Sequence, residues 1–158
     1  AIRVGRPADS GLRARKLISN QTVLCASPEY LKRYGKPENP EEVSKHNCLT
    51  LNKNRQQTYW HFRKDQEYTR VLVKGNICST GGTPLLESAE DGAGIVLLAH
   101  WMVSRSIREG KLELIDFNWT PSLHSEASGE VYAVFLNNKY INPVLRAFID
   151  HLADNIVV

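Results

Sequence analysis

Methionine is nearly absent from this 158-residue chain, occurring only at Met102, and the chain opens on AIRVG, which reads as a strand already under way. With neither an initiating methionine nor a charged-then-apolar leader, these residues are expected to be a piece of a longer protein. Long hydrophobic runs are lacking as well. The longest, Gly94 to Ala99, is far too short for a membrane-spanning helix. Cysteine is sparse and odd in number. Cys25, Cys48 and Cys78 stand too far apart for a zinc knuckle or a Cys-x-x-Cys redox pair, so all three are expected to be reduced core thiols. Charge of one sign is lacking too: the net charge is +3, and the basic residues scatter from Arg3 to Arg146 without a helical stripe. Direct nucleic-acid binding therefore finds no support in the pattern.

Catalytic signatures are missing in the same way. The histidines at 46, 61, 100, 124 and 151 form no His-x-x-x-His pair, and no Gly-x-Ser-x-Gly elbow occurs. The glycines of STGGT lack the Gly-Lys-Ser/Thr that completes a phosphate-cradling loop. Asp9, Asp91, Asp116 and Glu126 have nothing in the sequence to pair them as acid and base. The expectation is a protein that is not an enzyme and holds no metal or cofactor.

What is present is enough apolar content, 42%, for one sizeable core or two small lobes that share segments. IRVG reads as a strand running into the turn-rich GRPADSG. A strand pair is expected across the turn Ser19-Asn20, from Leu17-Ile18 to TVLCAS. PEYLKRYG then reads as a helix with Ser27 as cap, Pro28 in the first turn and Gly35 at its end. PEEVSKH gives a short helical turn from Pro40. CLTL, TYWHF and RVLVKGNICS read as strands, with Lys64 to Glu67 as the polar turn between the last two. IVLLA, apolar throughout, is expected to be a strand buried on both faces. LELI and EVYAVF follow as strands, separated by an irregular polar stretch from Asn118 to Ser128. A terminal helix from Pro143 places Leu145, Phe148, Ile149 and Leu152 on its apolar side.

The stretch STGGTPLLESAEDGAG is where function is most legible. Hydroxyl and glycine residues at a helix start let an anion reach unpaired backbone N–H groups and the positive end of the helix dipole. Plain capping is the alternative, with Thr83 as cap and Pro84 in the first helical position. The helix can start at Thr80 or at Thr83, and Leu85, Leu86, Ala89 and Ala93 form its apolar face.

Six segments in order resemble the C-terminal effector-binding domain of LysR-type transcriptional regulators: IRVGRPADSGLRARKL, VLCASPEYLKRYGKPENPEEVSKHNCL, WHFRKD, STGGTPLLESAEDGAGIVLLAHWMV, GKLELI and VYAVFLNNKYINPVLRAFIDHL. The likeness spans nearly the whole chain. It implies an α/β, periplasmic-binding-protein-like (type II) two-lobe fold, with lobe two complete and lobe one partial. Residues 1–19 would be a lobe-one segment and first hinge crossover, 20–128 lobe two, and 129–158 the return to lobe one with the C-terminal helix. A small anionic effector would lie in the interlobe cleft. Thr80 falls where the family commonly places a Thr or Asn that contacts the effector, with Ser79, Gly81, Gly82 and Thr83 beside it. Arg6 and the loop through Ser10 match a lobe-one loop that can line the same cavity, Arg being suited to a carboxylate by its planar donor fork. Ala99 and His100 stand where Pro-Asp is commonly seen before the Trp. The resemblance further implies a cytoplasmic bacterial protein with no membrane contact, DNA binding only through an N-terminal helix-turn-helix outside these residues, and a homo-oligomer, dimer or tetramer, in the full-length protein. The rival reading from another class is a solute-binding protein of a transport system.

Overall fold

The structure is a computed structural model that describes residues 1–4, 12–51, 57–125, 130–136 and 142–156. In chain order the elements are β1 (Ile2–Val4), β2 (Leu12–Ile18), β3 (Thr22–Ala26), α1 (Pro28–Tyr34), α2 (Pro40–Val43) and β4 (Cys48–Leu51). Next come β5 (Thr58–Lys64), β6 (Glu67–Val73), β7 (Cys78–Ser79), α3 (Gly82–Glu90), β8 (Ile95–Ala99) and α4 (His100–Arg108). The chain closes with β9 (Glu113–Ile115), β10 (Thr120–Ser122), β11 (Val131–Leu136) and α5 (Pro143–Asn155). Two compact units result, one of residues 1–21 with 128–158 and the other of residues 22–127.

The larger unit is built on a mixed five-stranded sheet in the order β7-β4-β8-β3-β9. β8 is its central strand, and IVLLA is buried at every position because both sheet faces are covered. Strand alternation divides those residues: Ile95 and Leu97 join one core with Leu24, Ala26, Tyr30, Trp60 and Phe62. Val96 and Leu98 join another with Leu85, Ala89 and Val103 from α3 and α4. The antiparallel sheet β10-β5-β6 supplies Trp60, Phe62, Val71 and Val73 to the first core. Trp60 is the largest fully buried side chain, and among the described residues its indole N–H meets no acceptor.

Local chemistry sets the helix ends. The Ser27 hydroxyl accepts from the Tyr30 N–H at 3.2 Å and Pro28 occupies the first turn, as the sequence leads one to expect. The Asn39 carboxamide does the same for the Glu42 N–H. Gly94, between α3 and β8, lies so close to the chain before β4 that a Cβ there would sit 2.2 Å from the Asn47 carbonyl oxygen.

The smaller unit is a three-stranded antiparallel sheet, β1-β11-β2, with α5 against it. Its core is modest: Leu17, Ala133 and Ile149 are buried, with Phe135, Leu152, Ala153 and Ile156 packed around them. Lys16 bonds to Glu130 and Arg15 to Asp150 at its surface.

Several expectations need correction. Leu17-Ile18 and TVLCAS form no hairpin: β2 pairs with β11, whereas β3 pairs with β8 and β9. The irregular stretch after Asn118 contains β10, which Pro121 disguises; an edge strand tolerates proline because it needs fewer backbone donors. Cys25 and Cys48 are buried free thiols whose ionisation burial pushes up to about 12, but Cys78, on the short edge strand β7, is exposed. On α5, Ile149 is buried and Leu152 partly so, while Leu145 and Phe148 remain exposed.

Candidate functional site

β4 and β7 run parallel, Thr50 beside Cys78 and Leu51 beside Ser79, and the chain turns from the end of β7 into α3. This places the α3 entrance at the C-terminal ends of parallel strands, where open α/β sheets bind ligands. The helix begins at neither Thr80 nor Thr83. Gly81 is the cap residue, in extended conformation, and Gly82 opens the helix. The physical reason is packing: at Gly82 a Cβ would sit 2.6 Å from the Met102 methyl and 3.2 Å from a Leu98 methyl, so the first turn presses onto β8 and α4.

With glycine as cap, no side chain satisfies the first-turn N–H groups of α3. The Ser79 hydroxyl instead accepts from the Gly81 N–H at 3.1 Å, which folds the entrance back on itself. Thr80, Gly81 and Thr83 are exposed, and Ser79 and Gly82 are half-buried. Pro84 lies in the first turn, where its missing N–H costs nothing, and its carbonyl accepts from Ser88. The entrance thus offers the hydroxyls of Ser79, Thr80 and Thr83 and the uncapped N–H groups of Gly82 and Thr83, with no carboxylate in the first turn, an arrangement suited to a small anion. Arg6 and Ser10 lie outside the described residues.

At the opposite ends of the same strands a half-open cavity of about 580 Å³ is lined by Tyr30, Lys36, Glu42, Lys45, His46 and Asn47 among others. Its floor is fixed by the Asn47 carboxamide, which donates to Asn76 Oδ1 and the Ala93 carbonyl, both at 2.7 Å, and accepts from the Asn76 N–H. Tyr30 Oη accepts from the Asn47 N–H at 3.1 Å, leaving its own proton for His46 Nδ1 at 3.2 Å. Burial holds His46 below the ordinary imidazole value, with Lys45 adding to the shift and Glu42 opposing it. Carboxylate, ammonium and the C-terminal ends of α1, α2 and α3 meet there, and their mixed signs select no ligand charge.

Among the described residues no group of three or more His, Cys, Asp or Glu could hold a metal ion, and no helix is long and apolar enough to cross a membrane.

A mixed α/β architecture with an uncapped helix entrance at its strand ends is one in which small-molecule-binding domains are commonly built. The profile of the LysR substrate binding domain matches residues 1–156, and the chain belongs to that family. It is 32% identical over 159 residues to the HTH-type transcriptional regulator CrgA of Neisseria meningitidis serogroup B, covering 99% of this chain and 50% of that protein. To the HTH-type transcriptional activator TtdR of Escherichia coli K12 it is 34% identical over 142 residues, 89% of this chain and 44% of that protein. The chain therefore spans about half the length of the curated relatives it matches. The solved CrgA regulatory domain superposes with a TM-score of 0.77 at 30% identity, covering 99% of this chain and 74% of that one. The regulatory domain of AphB from Vibrio vulnificus gives 0.78 at 25% identity, over 97% and 73%. The fold is the type II periplasmic-binding-protein-like fold of these regulatory domains, as the sequence resemblance implies. These relatives are transcriptional regulators, which does not favour the transport reading.

Proposed function

We propose that this chain is the effector-sensing part of a LysR-type DNA-binding regulator, and that it takes a small anionic metabolite at the α3 entrance through Ser79, Thr80, Gly81, Gly82 and Thr83. Arg6 and Ser10 contribute as well, the Arg6 guanidinium pairing with the effector's carboxylate. Residues 1–19 and 129–158 act as lobe one and 20–128 as lobe two. A ligand that prefers one arrangement of the lobes shifts their equilibrium, and in the full-length homo-oligomer this changes the spacing of the DNA-binding heads. The protein works in the cytoplasm, has no catalytic step, and meets DNA only through its N-terminal helix-turn-helix.

The observation that carries this reading is the first turn of α3, whose N–H groups no side chain caps, beside the exposed Thr80 hydroxyl. Thr80→Val keeps the shape and removes the hydroxyl. Inducer response in the full-length regulator should then weaken about tenfold, ~1.4 kcal/mol for one hydrogen bond to a charged group. In the chain itself, amide NMR spectra recorded against inorganic sulfate should show saturable shifts at Gly82 and Thr83, reduced in the variant. Unchanged dose-response and sulfate curves would leave Thr80 without a binding role.

A further inference from the structure

The β5–β6 hairpin gathers cations that lie apart in the sequence. Trp60 and Phe62 face the core, so Tyr59, His61 and Arg63 face outward; on β6, Val71 and Val73 face the core, so Tyr68, Arg70 and Leu72 face outward. Register places Arg63 opposite Tyr68 and His61 opposite Arg70; β10 adds the exposed Thr120 beside Arg63, whereas Ser122 beside His61 is buried. None of these outward positions carries a carboxylate.

The groups are held in place. The Arg63 guanidinium lies over the Tyr68 ring at 4.7 Å and the Arg70 guanidinium over the Tyr59 ring at 4.8 Å. His61 stacks on Tyr68 and meets its hydroxyl at 2.7 Å, and Arg63 also donates to the Ser125 carbonyl. A guanidinium stacked on a ring keeps donor edges for an oxyanion, and its ordering cost is met before any partner arrives. Burial first, then His124, Arg70 and Arg63, hold His61 below its ordinary value. Such a cluster gains by acquiring a negative charge.

We propose that the outward face of the β10–β5–β6 sheet is a docking surface for an extended acidic polypeptide, whose carboxylates at alternate positions pair with Arg63 and Arg70. The two arginines are diagonal neighbours across the hairpin, with Cα atoms about 7–8 Å apart by strand geometry. Side chains at alternate positions of an extended peptide repeat every ~6.6 Å, which fits that spacing. Nucleic acid fits less well. Tyr59 and Tyr68 already carry guanidinium groups, so they make poor platforms for bases. Two fixed charges also fall short of the roughly 6–10 phosphate contacts that hold a duplex at physiological salt.

The test is fluorescence anisotropy of the chain with a labelled peptide alternating Glu and Thr, beside an alternating Lys and Thr peptide, a duplex DNA and a single-stranded oligonucleotide. The Glu peptide should bind saturably and most tightly, and should raise the pH at which the His61 ring protons titrate in NMR. Arg63→Gln and Arg70→Gln should each weaken it about tenfold, with thermal melts confirming folded variants and sulfate shifts at Gly82 unchanged. Equal binding of the Lys peptide, tighter binding of either nucleic acid, or indifference to both substitutions would overturn the proposal.

Discussion

Gly94 and Gly82 are both closely approached, but by different kinds of atom. At Gly94 the obstacle is the Asn47 carbonyl, fixed by the hydrogen bond it accepts from Ile95 N–H at 2.9 Å. At Gly82 it is chiefly the end of the Met102 side chain, which can rotate away. Gly94→Ala should therefore cost about 3 kcal/mol in a urea melt, because backbone must move in a packed region. Gly82→Ala should fall within ~1 kcal/mol of neutral, since alanine's helix propensity offsets the local repacking. The sequence marks both positions only as glycine. Which of them is indispensable depends on what the fold brings against each.

At the element scale α1 and α2 are legible because Ser27-Pro28, Gly35 and Pro40 are local signals, while the Asn39 cap of α2 emerges only in the structure. α4 carries no such signal, since it follows β8 without a break and its cap position is Ala99, which makes no side-chain cap. α1 also carries a pH-sensitive tie, the bond from Tyr30 Oη to His46 Nδ1. His46 titrates below the ordinary 6.5 in the folded protein, so the unfolded chain takes up the proton first. Its contribution to stability is thus present above that value and lost as pH falls through it towards the folded value. His61 is lowered too and acts in the same window. Denaturation midpoints should drop on acidification from neutral pH, less steeply in His46→Gln and least in a His46→Gln/His61→Gln double variant. An unaltered slope in the double variant would place the acid sensitivity elsewhere.

Considered whole, the chain divides its apolar burial unevenly. The larger unit has two cores on opposite faces of one sheet, while among the described residues the smaller unit buries only Leu17, Val131, Ala133, Val134 and Ile149 and exposes Ile2, Leu136, Val144, Leu145 and Phe148. Val144 and Phe148 are 75% and 57% exposed, and an apolar cavity of about 470 Å³ lies between α5 and the strands. A contiguous patch of this kind drives association in water. Light scattering on the chain should show mass rising with concentration, and Phe148→Ser should suppress that rise while leaving hydrogen-exchange protection in residues 22–127 unchanged. A concentration-independent monomer would show that α5 tolerates its exposure.

The sequence alone determined what depends on neighbours along the chain: most strands and helices in their order, the cap of α1 and the proline start of α2, the doubly buried character of IVLLA, and, through six ordered segments, the family. These are legible because periodicity and capping act over a few residues. Tertiary structure decided what depends on contacts between distant segments. It separated β2 from β3 into different sheets, moved the α3 start to Gly82 through its packing on Leu98 and Met102, and exposed Cys78 on an edge strand. It also collected Arg63 and Arg70 on one face, since antiparallel pairing sets residues several positions apart side by side and spacing along the chain carries no record of it.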